Sequence, residues 1–342
     1  MKTKIMSIIL AVCLLLCGCS AGQSSANKKK FQASFLELFD TVTTIVGYAD
    51  NEEEFTKISE GLRDELMVYH QLYDIYNDYP GINNIKTIND NAGVSPVTVD
   101  KRIIDLLVLC KKLYGETNGR VNVAMGSVLY LWHEARIDGV DDPENARIPD
   151  MEALKKAAEH TNIENVIIDE ENSTVFLSDP KMRLDVGAVA KGFAAEATAK
   201  SAPEGLLISV GGNVCATGPR PDKNRWIVGL QNPDLSETYL HTVWLTKGAV
   251  VTSGDYQRYY MVDGEAYHHI IDPDTLMPAE YWRAVSVIVG DSGIADALST
   301  ALFLMNREDG EALIKKFGAV ALWVDKDGNE YYSEGFKDFL RT

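Results

Sequence analysis

An α+β fold, mostly antiparallel sheets with flanking helices, is what these 342 residues predict. Apolar runs with strand-like alternation come in pairs joined by short turn sequences, the pattern of hairpins. Helical periodicities fall between those pairs, without the regular strand–helix–strand alternation that builds a doubly wound parallel sheet. No repeat, low-complexity tract or linker-like stretch divides residues 35–342, which therefore read as one domain.

Residues 35–48 read as a first strand pair or extended segment, on Leu36 and Leu38 and then Val42, Ile45 and Val46. Glu52–Tyr73 is an amphipathic helix, with Phe55, Ile58, Leu62, Leu66, Tyr69 and Tyr73 at helical spacing. The Asn-rich stretch 76–97 is looser and suits a pocket border. Asp100 caps a helix over Lys101–Glu116, with Ile103, Leu106, Leu107, Cys110 and Leu113 on its apolar side. Residues 121–132 form an apolar turn and helix interrupted by Gly126, and a helix over 151–160 starts after Pro149-Asp150. A hairpin pairs 165–168 with Thr174–Leu177. A strand end at 182–184 then runs through a glycine-lightened turn into an Ala-rich helix reaching about Lys200. A buried strand, 206–210, meets Gly211-Gly212-Asn213. Further strands are expected at 226–230, 239–244, 250–252, Tyr259–Val262, 266–271 and Ala284–Val289, with Asp263-Gly264 as a hairpin turn. Helices at 294–305 and 308–317 follow, and Val320–Val324 pairs with 329–333.

The N-terminus has a different character. Lys2 and Lys4 precede an apolar run over 5–16, and then comes Leu16-Cys17-Gly18-Cys19. This reads as a secretory signal over residues 1–18, too short to remain as a spanning helix. A cysteine directly after Leu-Cys-Gly resembles a bacterial lipoprotein signal, with Cys19 becoming the lipid-bearing first residue; an ordinary signal peptide or plain membrane anchor is the alternative. Residues 19–34 read as a tether, and Lys28, Lys29 and Lys30 can rest on anionic lipid or simply be solvated. The expected address is the bacterial cell membrane, lipid-anchored on its extracytoplasmic side. Removing residues 1–18 takes away two lysines and no acid, leaving 31 basic against 50 acidic residues, a net charge of −19. That balance argues against nucleic acid as a partner. Of five cysteines, Cys13, Cys17 and Cys19 belong to the signal region. Cys110 and Cys215 could form one disulfide in an exported protein, but Cys110 lies on an apolar helical face and reads as a buried thiol. No spacing of Cys and His suggests zinc.

The reading centres on 184–195, where Asp185 stands before a turn of small residues and Lys191 follows. Gly187, Ala188, Ala190 and Gly192 let a ligand approach bare backbone, and the helix start with Lys191 suits an anion. The bland reading is a tight strand-to-helix corner whose glycines only permit close packing. On the apolar helix 293–305, Asp296 and Thr300 are four apart and project from one face. One carboxylate and one hydroxyl are few, hard oxygen donors, which suits magnesium; alternatively Thr300 is satisfied by its own helix backbone. His269, beside a turn with Asp272, is placed as a general base or phosphate donor. Residues 252–256 add a hydroxyl-rich strand end with Thr252 and Ser253. Gly290-Asp291-Ser292-Gly293 looks like a trypsin-type nucleophile loop but reads as a helix start.

Together these islands resemble the ApbE family, the FAD:protein FMN transferases, often exported lipoproteins. Five motifs carry the resemblance in register over about 120 residues: Asp185-Val-Gly-Ala-Val-Ala-Lys-Gly192, Val210-Gly-Gly-Asn213, Thr252-Ser-Gly-Asp-Tyr256, His269-Ile-Ile-Asp-Pro273 and Ala295-Asp-Ala-Leu-Ser-Thr-Ala301. It covers essentially all of the chain from about Phe39 and implies an ApbE-like, T-fold-related architecture. It further implies that Asp185, Lys191, Thr252, Ser253 and Ile271 contact FAD. The carbonyl of Ala188, with Asp296 and Thr300, would hold Mg2+ on the diphosphate, and His269 would lie at the reacting centre with Asp296. Asn122-Val-Ala-Met-Gly-Ser127 stands where Asp-Val-Thr-Val-Gly-Pro is common, so Ala124, Met125 and Gly126 are further FAD candidates. Phe39-Asp40-Thr41 stands where Met-Gly-Thr is common, and Leu276 replaces a usual glycine. The implied reaction moves the FMN moiety of FAD to a threonine hydroxyl of an acceptor flavoprotein, a redox-pump or exported electron-transfer subunit, releasing AMP. Competing readings are an FAD pyrophosphatase giving FMN and AMP, and a non-catalytic flavin-binding lipoprotein.

Overall fold

The structure, a computed structural model, describes residues 28–236 and 238–341. β1 (Lys29–Leu38) and β2 (Thr41–Ala49) form a hairpin closed by Phe39 and Asp40, both left-handed with φ of 53 and 51. That pair is the backbone of a tight two-residue turn. α1 (Glu52–Tyr73) begins where the Asn51 side chain accepts from the Glu54 N–H, and three glutamates in its first turn suit the helix dipole. α2 (Ile85–Asp90) is short and opens on a capping box between Asn84 and Thr87. β3 (Val97–Thr98) leads to α3 (Lys101–Glu116), capped by Asp100. α4 (Gly126–Asp141) and α5 (Met151–Ala158) precede β4 (Val166–Asp169) and β5 (Thr174–Leu177), which join β3 in a small sheet. α6 (Ala190–Ser201) is followed by β6 (Leu207–Val210) and β7 (Asn213–Ala216), turned by Gly211 and Gly212 at φ 57 and 89. β8 (Trp226–Gln231) and β9 (Tyr239–Leu245) pair with each other, β10 (Gly248–Gly254) enters the main sheet, and β11 (Tyr259–Val262) with β12 (Glu265–His268) makes a separate hairpin. The chain closes with β13 (Ala284–Val289), α7 (Ser292–Phe303), α8 (Arg307–Phe317), β14 (Val320–Val324) and β15 (Glu330–Tyr332).

The main sheet has eight strands in the order β1-β2-β6-β7-β10-β13-β14-β15, every neighbouring pair antiparallel. One face carries the principal core, filled from β2, β10 and β13 and from α1, α3, α6 and α7. Across the other face the β8–β9 hairpin closes a smaller core around Trp226, Val243, Leu322 and Phe336. α7 buries ten of its twelve residues. A helix apolar nearly all round belongs inside a fold, so its few polar side chains need partners on neighbouring elements.

The α+β antiparallel expectation holds, and several boundaries move. β1 starts at Lys29, so the last six residues of the expected tether are strand, paired from Lys29 against Ala49. The loose stretch 76–97 contains α2, too short to show a hydrophobic period. The segment 121–132 resolves into a turn and a longer helix, α4. The expected strand 266–271 breaks after His268. Cys110 and Cys215 are both buried free thiols, so the disulfide alternative falls. The signal, Cys13, Cys17 and the lipidation candidate Cys19 lie outside the described residues. Among the described residues no helix is long and apolar enough to cross a membrane.

Candidate active site

The sharp turn before α6 is built by local hydrogen bonds. Asp185 donates its N–H to the Val123 carbonyl at 2.8 Å, and its Oδ1 accepts from the Gly187 N–H at 2.8 Å. The Val189 and Ala190 N–H groups both turn back to the Val186 carbonyl. Two residues further the pattern is broken: the Gly192 N–H points out of α6 and donates to Asp296 Oδ2 on α7 at 2.8 Å. Among the described residues no backbone N–H then reaches the Ala188 carbonyl. The bland reading of the glycines is half right. A Cβ at Gly192 would sit 2.3 Å from the Ser292 carbonyl oxygen and 2.5 Å from Asp296 Cβ, so Gly192 does allow close packing. What it packs against is the acidic side chain of the Ala295–Ala301 motif.

Asp296 is 5% exposed and also accepts from Asn213 Nδ2 at 2.9 Å, at the start of β7. Burial raises its pKa, opposed by Lys191 and by those two N–H donors. Three of the five motifs thus meet at one carboxylate. One turn on, Thr300 Oγ1 faces Ser253 Oγ at 3.5 Å and makes no bond to its own helix backbone, against the alternative reading. Ser253 also pairs with Ser299 at 2.8 Å, and Thr252 with Ser286 at 2.8 Å. The Thr252–Tyr256 motif therefore packs beside the Ala295–Ala301 motif.

Asp185, Ala188, Lys191, Asp296 and Thr300 line one cavity of about 980 Å³. Thr252, Ser253, His269, Ile271 and Met125 line it too. Ala124 and Gly126 do not. Ala124 is sealed in the principal core, and a Cβ on Gly126 would meet the Arg183 carbonyl oxygen at 2.5 Å. Gly126 serves the close approach of α4 to the 183–184 backbone.

His269 presents an open edge to the cavity, whereas its neighbour His268 is buried with Nε2 against the Ala279 carbonyl at 3.0 Å. The His269 Nδ1 meets the Arg258 carbonyl at 3.2 Å. A carbonyl can only accept, so Nδ1 carries the proton and Nε2 keeps its lone pair. Desolvation in the cleft, then the positive charge of Arg258 and Lys191, pushes this imidazole down to about 3. Asp185 is raised instead, again by burial, with His133, Lys191 and Arg258 opposing. Leu276, at the usual glycine position, is left-handed with φ 62 and gives its carbonyl to Trp132 Nε1 at 2.9 Å.

Asn213 lies inside a motif yet carries no signal of its own, because contacts between distant elements leave no periodic pattern; Gly192, read as opening backbone to a ligand, gives its N–H to Asp296 instead. Arg258 and the stacked pair Tyr76–His133, 4.6 Å apart, also line the cavity and lie outside every motif. Among the described residues no three His, Cys, Asp or Glu side chains converge as a metal cluster. A cation here would rest on oxygen donors: the free Asp296 oxygen, the Thr300 hydroxyl and the unclaimed Ala188 carbonyl. That hard, sparse set fits magnesium.

The sequence matches the ApbE family over residues 39–323. It is 33% identical over 278 residues to a Treponema pallidum FAD:protein FMN transferase, covering 75% of each chain. An Escherichia coli protein of the same name is 25% identical over 347 residues, covering 97% of this chain and 96% of its own. A crystal structure of the Thermotoga maritima ApbE protein superposes with a TM-score of 0.81 at 30% identity, covering 92% of this chain and 100% of that one. The Vibrio cholerae flavin transferase ApbE, at 23% identity and TM-score 0.74, shares the fold.

Proposed function

The chain belongs to the ApbE family, and from that membership we propose that it is a magnesium-dependent FAD:protein FMN transferase. It would move the FMN moiety of FAD to a threonine hydroxyl on an acceptor flavoprotein and release AMP. The observation that carries this reading is the meeting of the Asp185–Gly192, Val210–Asn213 and Ala295–Ala301 motifs at the Asp296 carboxylate, on the wall of one cavity.

In this reading the half-buried Lys191, at the start of α6, receives the diphosphate of FAD as a point charge facing its anionic oxygens. When bound by Asp296, Thr300 and the Ala188 carbonyl, magnesium supplies charge neutralisation on the phosphoryl oxygens. The threonine oxygen of the acceptor bonds to the FMN phosphorus as the bond from that phosphorus to AMP breaks. Its proton passes to Nε2 of His269, the ring nitrogen left unprotonated by the Arg258 contact. An entering anionic diphosphate offsets Arg258 and Lys191, which raises the basicity of His269 when substrate is present. Phosphoryl transfer needs positioning and charge compensation more than covalent help, and the site is equipped for both.

Incubating the protein with FAD, magnesium and a candidate acceptor, then weighing the acceptor by mass spectrometry, tests the reading. FMN on a threonine supports it. Catalytic AMP without acceptor modification would make the protein a hydrolase, and tight flavin binding without turnover would make it a carrier. Acceptors among redox-pump or exported electron-transfer subunits, and lipid anchoring through Cys19 on the extracytoplasmic side of the cell membrane, belong to the same proposal. Cys19→Ala should move the protein out of the membrane fraction; retention there would refute the anchor.

A further inference from the structure

The Asp296 carboxylate is held by one oxygen only. Oδ2 accepts both the Gly192 N–H at 2.8 Å and Asn213 Nδ2 at 2.9 Å, while no donor among the described residues bonds Oδ1 on the cavity side. From this we infer that Asn213 is a positioning residue that makes Asp296 a one-oxygen ligand and so sets a preference for magnesium over calcium. This rests on the magnesium reading above.

Two N–H donors engage the lone pairs of Oδ2, leaving Oδ1 as the oxygen free for a cation. Magnesium takes six ligands in a tight octahedron and is content with single-oxygen carboxylates. Calcium is larger, takes six to eight oxygens and gains from a carboxylate that can offer both. The Gly192 donor is backbone and fixed, so Asn213 is the half of the clamp that sequence can change. Its placement is firm. The residue is 3% exposed, it follows the Gly211-Gly212 turn, and a Cβ on Gly211 would strike Thr41 at 2.7 Å. An amide also donates without adding charge, so the site keeps a single negative side chain at this point.

The test titrates magnesium or calcium alone into full-length wild type, Asn213→Ala and Asn213→Asp, read by calorimetry and by the shift in melting temperature. Removing the donor frees Oδ2 to turn toward the ion. Magnesium affinity should fall about 10–100-fold in Asn213→Ala, the usual effect of losing a group that orients a ligand. Calcium affinity should fall less or rise, so the magnesium-to-calcium ratio drops about tenfold or more. Asn213→Asp keeps the volume, replaces the donor by a second carboxylate and should lower the same ratio. Equal losses for both ions, with the ratio unchanged in either folded variant, would mean that Asn213 only supports the fold, and the inference fails. A wild type that binds calcium as well as magnesium also overturns it. A wild type that binds neither ion overturns the magnesium reading itself.

Discussion

Gly192→Ala puts the closest contact in the site under strain. The added methyl would lie 2.3 Å from the Ser292 carbonyl oxygen and 2.5 Å from Asp296 Cβ, both on α7 and neither the end of a flexible side chain. Ordinary contact is near 3.4 Å, so α6 and α7 must part by about 1 Å. α7 is buried almost all round and has little room to yield. Overpacking of this kind costs about 1–3 kcal/mol. For a domain of this size that lowers Tm by about 2–5 °C. The same movement stretches the 2.8 Å bond from the Gly192 N–H to Asp296 Oδ2 beyond hydrogen-bonding range. A displacement of this order at a reacting centre costs about 100-fold in rate. Melting curves give the first number. The rate of magnesium-dependent flavin attachment, followed by flavin fluorescence of the acceptor on a denaturing gel, gives the second. A variant with wild-type Tm and a wild-type transfer rate would show that the two helices tolerate the methyl, and the close-approach account would be wrong.

Asp296→Asn should abolish magnesium-dependent transfer and raise the melting temperature of the ion-free protein at neutral pH. Burial lifts the folded pKa above the unfolded value, so the ionised carboxylate costs stability at pH 7, and that cost disappears below the ordinary carboxylate pKa of about 4. Melting curves at both pH values should show the gain at the higher one only; a loss at pH 7 would contradict this. Asp40→Gly relieves a left-handed aspartate at an exposed turn, φ 51, and should add up to about 1 kcal/mol of stability in a denaturant titration. For His269, held down to about 3 in the free cavity, kcat/KM for FAD should show no inflection near the ordinary imidazole value. An inflection there that vanishes in His269→Gln would overturn this assignment.

The long helices were legible because their burial repeats along the chain. Glu52–Tyr73 and Lys101–Glu116 begin and end at the residues their periodicity and caps indicate. α2 was invisible because six residues make fewer than two turns, and its start depends on the reciprocal Asn84–Thr87 bonds. In the site, Asp296 and Thr300 were readable as two polar side chains on an apolar helix. Asn213 was not, since its role comes from a bond to a residue 83 positions away. Gly126 misled for the opposite reason. A glycine that admits another backbone and one that admits a ligand look alike in sequence, and only the 2.5 Å approach to Arg183 separates them. The two departures from the common glycine pattern, Asp40 and Leu276, keep left-handed backbones. Each turn here adopts a backbone that glycine suits best, with a side chain in its place.

β1 also has a mechanical consequence. Its ten residues span about 30 Å from Lys29 to the turn at Phe39 and Asp40, which touch the cavity wall. Whatever holds the leading end of that strand holds the catalytic mouth a rigid rod's length away. Under the anchoring proposed above, an acceptor lying flush with the same support would sit below the mouth's reach, and the proposed threonine would have to be lifted on a stalk or a raised domain to meet it.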